Sequence, residues 1–159
     1  MESYKTKIYN QIYEKLINNT ESFQLITKKF VKNINTFPMI YLSISNSDKV
    51  NLPNGVQADI ITYEMYVLAN NPSENFEQGG NEILLDLTKE IEYALAKPEN
   101  WDNNHLGLPG YVIDAYFTSE HFYDDESSGS GLISTVLTFA VVSNGESMLR
   151  PYEDDPMYD

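Results

Sequence analysis

The chain has no cysteine, only two histidines and no apolar run approaching 20 residues. The absence of cysteine excludes disulfides and cysteine-based zinc sites, and it is compatible with a reducing compartment. Without about 20 consecutive apolar residues, no helix is expected to span a membrane. The first five residues, Met1 to Lys5, lack an apolar segment, so we expect no secretory signal.

Basic residues are scarce beyond residue 50. Residues 1–50 contain seven lysines and four acidic residues, a net charge of +3, whereas residues 51–159 contain three basic and 20 acidic residues, a net charge of −17. The total of −14 repels phosphate backbones, so general nucleic-acid binding is not expected. The charge split has two interpretations: it promotes solubility, or the basic end of one copy attracts the acidic end of another.

Catalytic motifs are also missing. The sequence contains no phosphate-binding P-loop, no G-x-G-x-x-G and no G-x-S-x-G. His105 and His121 are both expected in or beside loops and exposed to solvent. His121 lies near Asp124, Asp125 and Glu126, but the adjacent Ser/Gly stretch is too flexible to hold metal ligands in a fixed geometry. We therefore predict that the protein is not an enzyme and has no catalytic residues, cofactor or metal site.

What the chain does contain is typical of a folded domain. It has 159 residues, of which 42% are apolar and 13% aromatic, and this predicts one domain with a substantial core. We place that domain at residues 1–143. Residues 144–159 contain five acidic residues and two prolines, and we predict an acidic tail that becomes ordered only when a partner captures it.

Two segments have helical periodicity. In Glu2–Asn18, apolar residues recur every four positions and Ser3 is placed to cap the first turn. Asn81–Ala96 has the clearest pattern in the chain, because four large apolar residues follow one another at steps of four. These apolar positions are Ile8, Ile12 and Leu16 in the first helix and Ile83, Leu87, Ile91 and Leu95 in the second.

Four segments alternate in the manner of strands: Phe37–Ser45, Val56–Ala69, Tyr111–Thr118 and Gly131–Ser143. Ser22–Val31 is ambiguous, and a strand is favoured there over a short helix. The order of these elements predicts an α+β fold. It would have a mostly antiparallel sheet of about four to five strands, with the two main helices packed on one face.

The longest strand has two unlike faces. Residues 61, 63, 65, 67 and 69 are apolar and face the predicted core, whereas the other face mixes Glu64 with Tyr66 and Leu68. Such a mixed face is typical of a surface that meets a partner or solvent. Among the acidic residues of strands, Asp59 is expected outside the core, and Asp114 is the one most expected to be partly buried. Residues 46–55 are predicted to be a turn region and residues 119–131 a polar connector.

This arrangement resembles the tail terminator proteins of long-tailed bacteriophages. The likeness is carried by a leading helix, an FPMIYLSI strand, an ADIITYEMYVLA strand, an NEILLDLTKEIEYAL helix, and the strands YVIDAYF and LISTVLTFAVV. It covers residues 1–143, and most of it comes from the F-P-x-I-x-L element near residue 37 and from the ending of one helix and two strands.

The resemblance implies a virion protein that is assembled in the host cytoplasm. It implies that six copies form a ring and that this ring has no membrane partner. Such a ring caps the tail tube, ends tube growth and joins the tail to the head connector or another neck protein. DNA would pass through a negatively lined ring without specific binding. The partner-binding residues predicted on this basis are Tyr66, Leu68, Asp124, Asp125, Ser127, Ser128, Gly129 and Ser130.

Three alternatives remain open from the sequence. One is a different neck component, such as a head-completion or stopper protein. Another is a small binding domain that holds a ligand among Tyr63, Tyr66, Tyr111 and Tyr116. The last is an enzyme that uses His121 and its neighbouring acidic residues.

Overall fold

A computed structural model describes residues 3–32, 35–53, 55, 57–70, 79–95, 106–108, 111–124 and 131–144. Within these ranges the chain forms two helices and five strands, and the predicted α+β class is confirmed. The elements are α1 (Tyr4–Asn19), β1 (Leu25–Thr27), β2 (Met39–Asn51), β3 (Gln57–Asn70), α2 (Gly80–Leu95), β4 (Asp114–Asp124) and β5 (Leu132–Ser143). No helix in the described ranges is long and apolar enough to cross a membrane.

The five strands form one sheet in the order β1-β2-β3-β5-β4. β1 is parallel to β2, and every other neighbouring pair is antiparallel. The segment around residues 22–31, ambiguous in the sequence, thus contributes a short edge strand, as favoured. β4 forms the other edge.

The two helices cover one face of this sheet. The side chain of Ser3 accepts a hydrogen bond from the backbone amide of Thr6 at 3.1 Å, which confirms the predicted cap and is worth about 1 kcal/mol. The apolar stripe of α1 is fully buried: Ile8, Ile12 and Leu16. α2 buries a wider face, because residues beside its step-of-four stripe, such as Leu84 and Ala94, are also apolar and buried. That face consists of Gly80, Leu84, Leu87, Thr88, Ile91, Ala94 and Leu95.

The centre of the core lies under the helices on β3 and β5. The predicted inward face of β3 is confirmed, since residues 61, 63, 65, 67 and 69 are all buried, and the alternate residues of β5 from Ile133 to Val141 are buried too. The one polar member of the β5 set, Thr135, donates its hydroxyl to the carbonyl oxygen of His121 at 2.9 Å. This bond removes the cost of burying the hydroxyl.

Two strands extend further than their apolar patterns indicated. β2 continues to Asn51, through residues predicted to be a turn, with a bulge between Ile44 and Asn46. β4 begins at Asp114 and continues to Asp124, through residues predicted to belong to a polar connector. These polar extensions are held by backbone hydrogen bonds to a neighbouring strand. Because backbone pairing does not require apolar side chains, the apolar pattern of the sequence does not reveal the extensions.

A second bulge, between Phe117 and Ser119, reverses the alternation along β4. Before it, Phe117 lies opposite Phe139 on the helix-covered face. After it, Phe122 lies opposite Thr135 on that same face. Ile113 precedes β4 and is 40% exposed.

The two predictions about acidic strand residues were both wrong. Asp59 is only 4% exposed, whereas Asp114 is exposed. Asp59 is buried because the hydroxyl of Tyr4 donates to its carboxylate and the ammonium of Lys49 pairs with it. These partners come from α1 and β2, and such long-range pairing cannot be read from alternation within β3.

Candidate functional site

The face of the sheet away from α1 and α2 is named here the open face, and it carries the outward side chains of β2, β3, β5 and β4. In the described ranges, no helix packs against it. Strand register arranges its side chains in rows that cross the sheet. One row joins Met39, Leu68, Ser134 and Tyr123, and the next joins Tyr41, Tyr66, Val136 and His121.

An apolar groove lies on the open face beside the β1 edge. Its volume is about 470 Å³, and its lining is Phe30, Val31, Met39, Tyr41, Ser43, Tyr66 and Leu68. Three rings form a continuous series, because the centroids of Phe30 and Tyr41 are 6.0 Å apart and those of Tyr41 and Tyr66 are 5.7 Å apart. Phe30 is 65% exposed, so the outer wall of the groove is an apolar ring that faces solvent.

Tyr66 is held in place by a neighbour on its own strand. Its hydroxyl donates to the carboxylate of Glu64. This hydrogen bond is the largest of the effects that raise the pKa of Tyr66 to about 12, followed by burial and the charges of Glu64, Tyr123 and Tyr41. Tyr66 is therefore neutral at physiological pH.

Two lysines are chain neighbours of residues that line the groove. Lys29 and Lys32 stand on either side of Phe30 and Val31 in the chain, and both are exposed. Neither has an ion-pair partner within the described part of the protein. Lys28 instead points toward α1, where its ammonium donates to the side-chain oxygen of Asn10 at 2.7 Å. The groove thus combines an apolar floor with two exposed lysines that neighbour its lining in the chain and with the Glu64 carboxylate that is bonded to Tyr66.

The opposite edge of the sheet carries a second exposed apolar patch. On β4, Phe122 is 38% exposed and Tyr123 is 50% exposed. Tyr123 also borders a shallow cleft of about 300 Å³ at the start of α2, together with Glu82 and Ile133. This surface, named here the acidic edge, contains the end of β4 and the outward side of α2.

The predicted contact residues fall into separate places. Tyr66 and Leu68 lie together in the groove, whereas Asp124 ends β4 at the far edge, opposite Ile133. The prediction that Asp124 belongs to a connecting loop was wrong. The remaining predicted contacts lie outside the described residues: Asp125, Ser127, Ser128, Gly129 and Ser130.

The structure does not bring together the tyrosines of the ligand site that the sequence suggested as an alternative. Tyr63 is fully buried in the core, Tyr111 receives a hydrogen bond from Lys7 of α1, and Tyr66 lies on the open face. His121 is an exposed strand residue, contrary to the prediction of a loop position, and its ring packs against Tyr123. The described residues contain no group of three or more potential metal ligands; His105, Glu126 and the acidic residues after 144 lie outside them.

Sequence reasoning missed Phe30 and Tyr41 as parts of the site. The alternation of β2 does place Tyr41 on an outward face, but only the register with β3 sets it opposite Tyr66. Phe30 follows β1 and gives no periodic signal. A scan against models of known protein families and a search of curated proteins both find no match.

Proposed function

We propose that the protein is a structural subunit that assembles into a ring and ends the tail tube of a long-tailed phage, where it joins the tail to the neck. The observation that carries this proposal is the open face, which presents exposed aromatic side chains at both edges of the sheet, Phe30 beside the groove and Tyr123 on β4. Exposed apolar surface beside charge is typical of protein contact sites. The choice of a ring at the end of a phage tail tube, among possible assemblies, rests on the resemblance of residues 1–143 to tail terminators.

The chemistry of the site supports a role through contacts. Its one strongly perturbed side chain, Tyr66, is made a weaker acid and stays neutral. Activated nucleophiles and bases require the opposite tuning, toward a pKa near neutrality. A groove of aromatic rings with a basic rim instead favours binding of another macromolecular surface.

The test is assembly on tube ends. The purified chain is mixed with the tail tube protein of the same particle, and tube length and end structure are followed by electron microscopy. We expect a six-fold species on one end of each tube and shorter tubes as the chain is added. A chain that remains monomeric and leaves tube length unchanged would exclude the terminator function. Binding to the connector but not to the tube would indicate another neck component.

The groove also favours a second candidate, a small binding domain. Its volume falls within the range of about 300–1,000 Å³ that is typical of ligand sites. A small aromatic ligand that raises the melting temperature of the wild-type protein, but not of Phe30→Ser, would favour this function. The matched control is Leu85→Ser, because Leu85 is also an exposed apolar residue, at 52%, but lies on α2.

A further inference from the structure

The sheet order converts the charge split of the sequence into a charge split in space. α1, β1 and β2 belong to the first 51 residues, and β1 and β2 occupy one side of the sheet, whereas β5 and β4 occupy the other. Residues 3–32 and 35–53 carry seven lysines and three acidic residues, and residues 79–95, 111–124 and 131–144 carry one lysine and seven acidic residues. The side of the sheet that holds β1 and β2 therefore comes from the basic part of the chain, and the side that holds β5 and β4 comes from the acidic part.

Each charged side has its own exposed apolar patch. On the basic side, the groove is flanked by Lys29 and Lys32, with Phe30 exposed on its outer wall. On the acidic edge, Tyr123 is exposed and borders the cleft that Glu82 also lines, and Phe122 is exposed on the helix-covered side of the same strand. Each patch thus combines exposed aromatic side chains with nearby charge: two lysines against the single carboxylate of Glu64 at the groove, and the carboxylate of Glu82 at the other edge.

The two patches also lie at the same level along the strands. Leu68 of the groove is in register with Ser134 of β5, and Ser134 is in register with Tyr123 of β4. Suppose that one edge of a copy contacts the opposite edge of the next copy, and that both contact regions lie in the same row across the sheet. Successive copies are then related by a rotation, with little translation along the strands. Heterologous contacts of this kind produce closed rings when the rotation closes.

We propose that the groove of one copy binds the acidic edge of a second copy of this chain, so that Lys29 and Lys32 face Glu82 and its acidic neighbours across a contact centred on Phe30 and Tyr123. This contact specifies how the subunits of the proposed ring would meet. It rests on the proposed function only in that the contacts must close into a ring. A two-fold contact would instead place a patch against its own copy and bring like charges together, which is unfavourable. Head-to-tail contact pairs opposite charges at every interface.

The test exchanges the charges in two separate variants. Variant one carries Lys29→Glu and Lys32→Glu in the basic rim, and variant two carries Glu82→Lys and Asp86→Lys on exposed positions of α2. A control makes the same change as variant two at exposed positions outside both patches, Glu14→Lys and Asp48→Lys. Molar mass is measured by sedimentation as a function of concentration at low salt, and circular dichroism verifies the fold of each variant.

We expect the wild type and the control to associate, and each charge-exchanged variant alone to associate about tenfold more weakly or worse. An equal mixture of the two variants should regain association, because each interface in the mixture again pairs opposite charges. Added salt should weaken association of the wild type and of the mixture.

Two results would overturn the contact: a wild type that is monomeric at every concentration, or folded variants that associate alone as strongly as the wild type. Failure of the proposed function gives a different pattern. If the exchanged variants behave as expected but the wild type never caps tubes, the contact stands and the terminator function fails. If either variant alone still forms rings on tube ends, the ring stands and this contact is wrong.

Discussion

Two tyrosines that stack on each other in the core differ in how their hydroxyl groups are satisfied. The rings of Tyr9 and Tyr63 are 6.0 Å apart with an angle of 20° between their planes. The hydroxyl of Tyr9 donates to the backbone oxygen of Leu42 at 2.7 Å, whereas that of Tyr63 is buried and has no hydrogen-bond partner among the described residues. Burial raises the pKa of Tyr63, with a smaller contribution from Tyr9, so both groups remain neutral.

This difference predicts opposite effects of the same substitution. Tyr63→Phe should raise the free energy of unfolding by about 1 kcal/mol, because it removes an unsatisfied buried hydroxyl. Tyr9→Phe should lower the free energy of unfolding by about 1 kcal/mol, because it leaves the oxygen of Leu42 without its donor. Urea denaturation measures both. Destabilisation by Tyr63→Phe equal to that by Tyr9→Phe would contradict the prediction.

The bond between Tyr66 and Glu64 predicts a pH-dependent stabilisation in the candidate site. The pKa of Tyr66 is raised to about 12 in the folded protein, above the value of about 10 in an unfolded chain. A raised pKa means that the stabilisation is complete below about pH 10 and is lost as the pH rises toward 12.

The predicted change is Tyr66→Phe, which should lower the free energy of unfolding by about 1 kcal/mol at neutral pH. The deficit relative to the wild type should shrink above pH 10. Tyr116→Phe is the control, since Tyr116 is exposed and donates no hydrogen bond within the described ranges. A deficit that is constant up to pH 12 would show that the hydrogen bond does not depend on the protonated hydroxyl.

At the scale of elements, α2 contacts its neighbours through two glutamates with opposite environments. Burial tends to raise the pKa of Glu90, but hydrogen bonds from the Ser22 side chain and from the backbone amides of Glu21 and Ser22 outweigh it, so the pKa lies below its ordinary value. For Glu92, burial and then the charge of Glu120 on β4 raise the pKa. The first glutamate anchors the chain after α1, and the second faces like charge.

The two environments predict that a change from glutamate to glutamine alters the free energy of unfolding in opposite directions at positions 90 and 92. Glu90→Gln should lower the free energy of unfolding at neutral pH by about 1 kcal/mol or less. Since a lowered pKa stabilises above the unfolded value, this loss should disappear as the pH falls through the folded pKa of Glu90. Glu92→Gln should raise stability at neutral pH, and the gain should vanish below the unfolded pKa of about 4.3.

Denaturation at several pH values measures this pair, and each variant serves as the control for the other. Both substitutions remove one charge from the same helix, so a general effect of net charge would change their stabilities in the same direction. Equal shifts for Glu90→Gln and Glu92→Gln would therefore rule out the assignment to local partners.

At the scale of the whole molecule, the last described strand occupies an inner position of the sheet. β5 lies between β3 and β4, so the chain closes its core only after residues 132–143 have been added. β5 ends at Ser143, and the domain boundary predicted after this residue stays a prediction. Residues 145–159 follow that strand and lie outside the described ranges.

This position predicts how truncations behave. Removal of residues 145–159 should change the melting temperature by only about 2–4 °C or less. Removal of residues 132–159 should abolish the cooperative transition, because β4 loses its partner in the sheet and β3 loses one of its two. Thermal melts followed by circular dichroism distinguish the two outcomes. A large loss of stability in the shorter truncation would mean that residues 145–159 pack on the domain.

The sequence by itself determined the local elements and most of the core. The steps of four in α1 and α2, and the alternation in β3 and β5, depend only on the geometry of each element, so they identify the buried faces without knowledge of the neighbours. The same patterns identified the open face of β3 with Tyr66 and Leu68. The charge split was likewise visible, but only along the chain.

The tertiary structure decided everything that depends on pairing distant segments. It buried Asp59 by bringing Tyr4 and Lys49 to it, and it formed the groove by setting Tyr41 of β2 opposite Tyr66 of β3. It also placed basic and acidic elements on opposite sides through the strand order. Register and strand order are set by the summed packing of many residues far apart in the chain, and no local period carries that information.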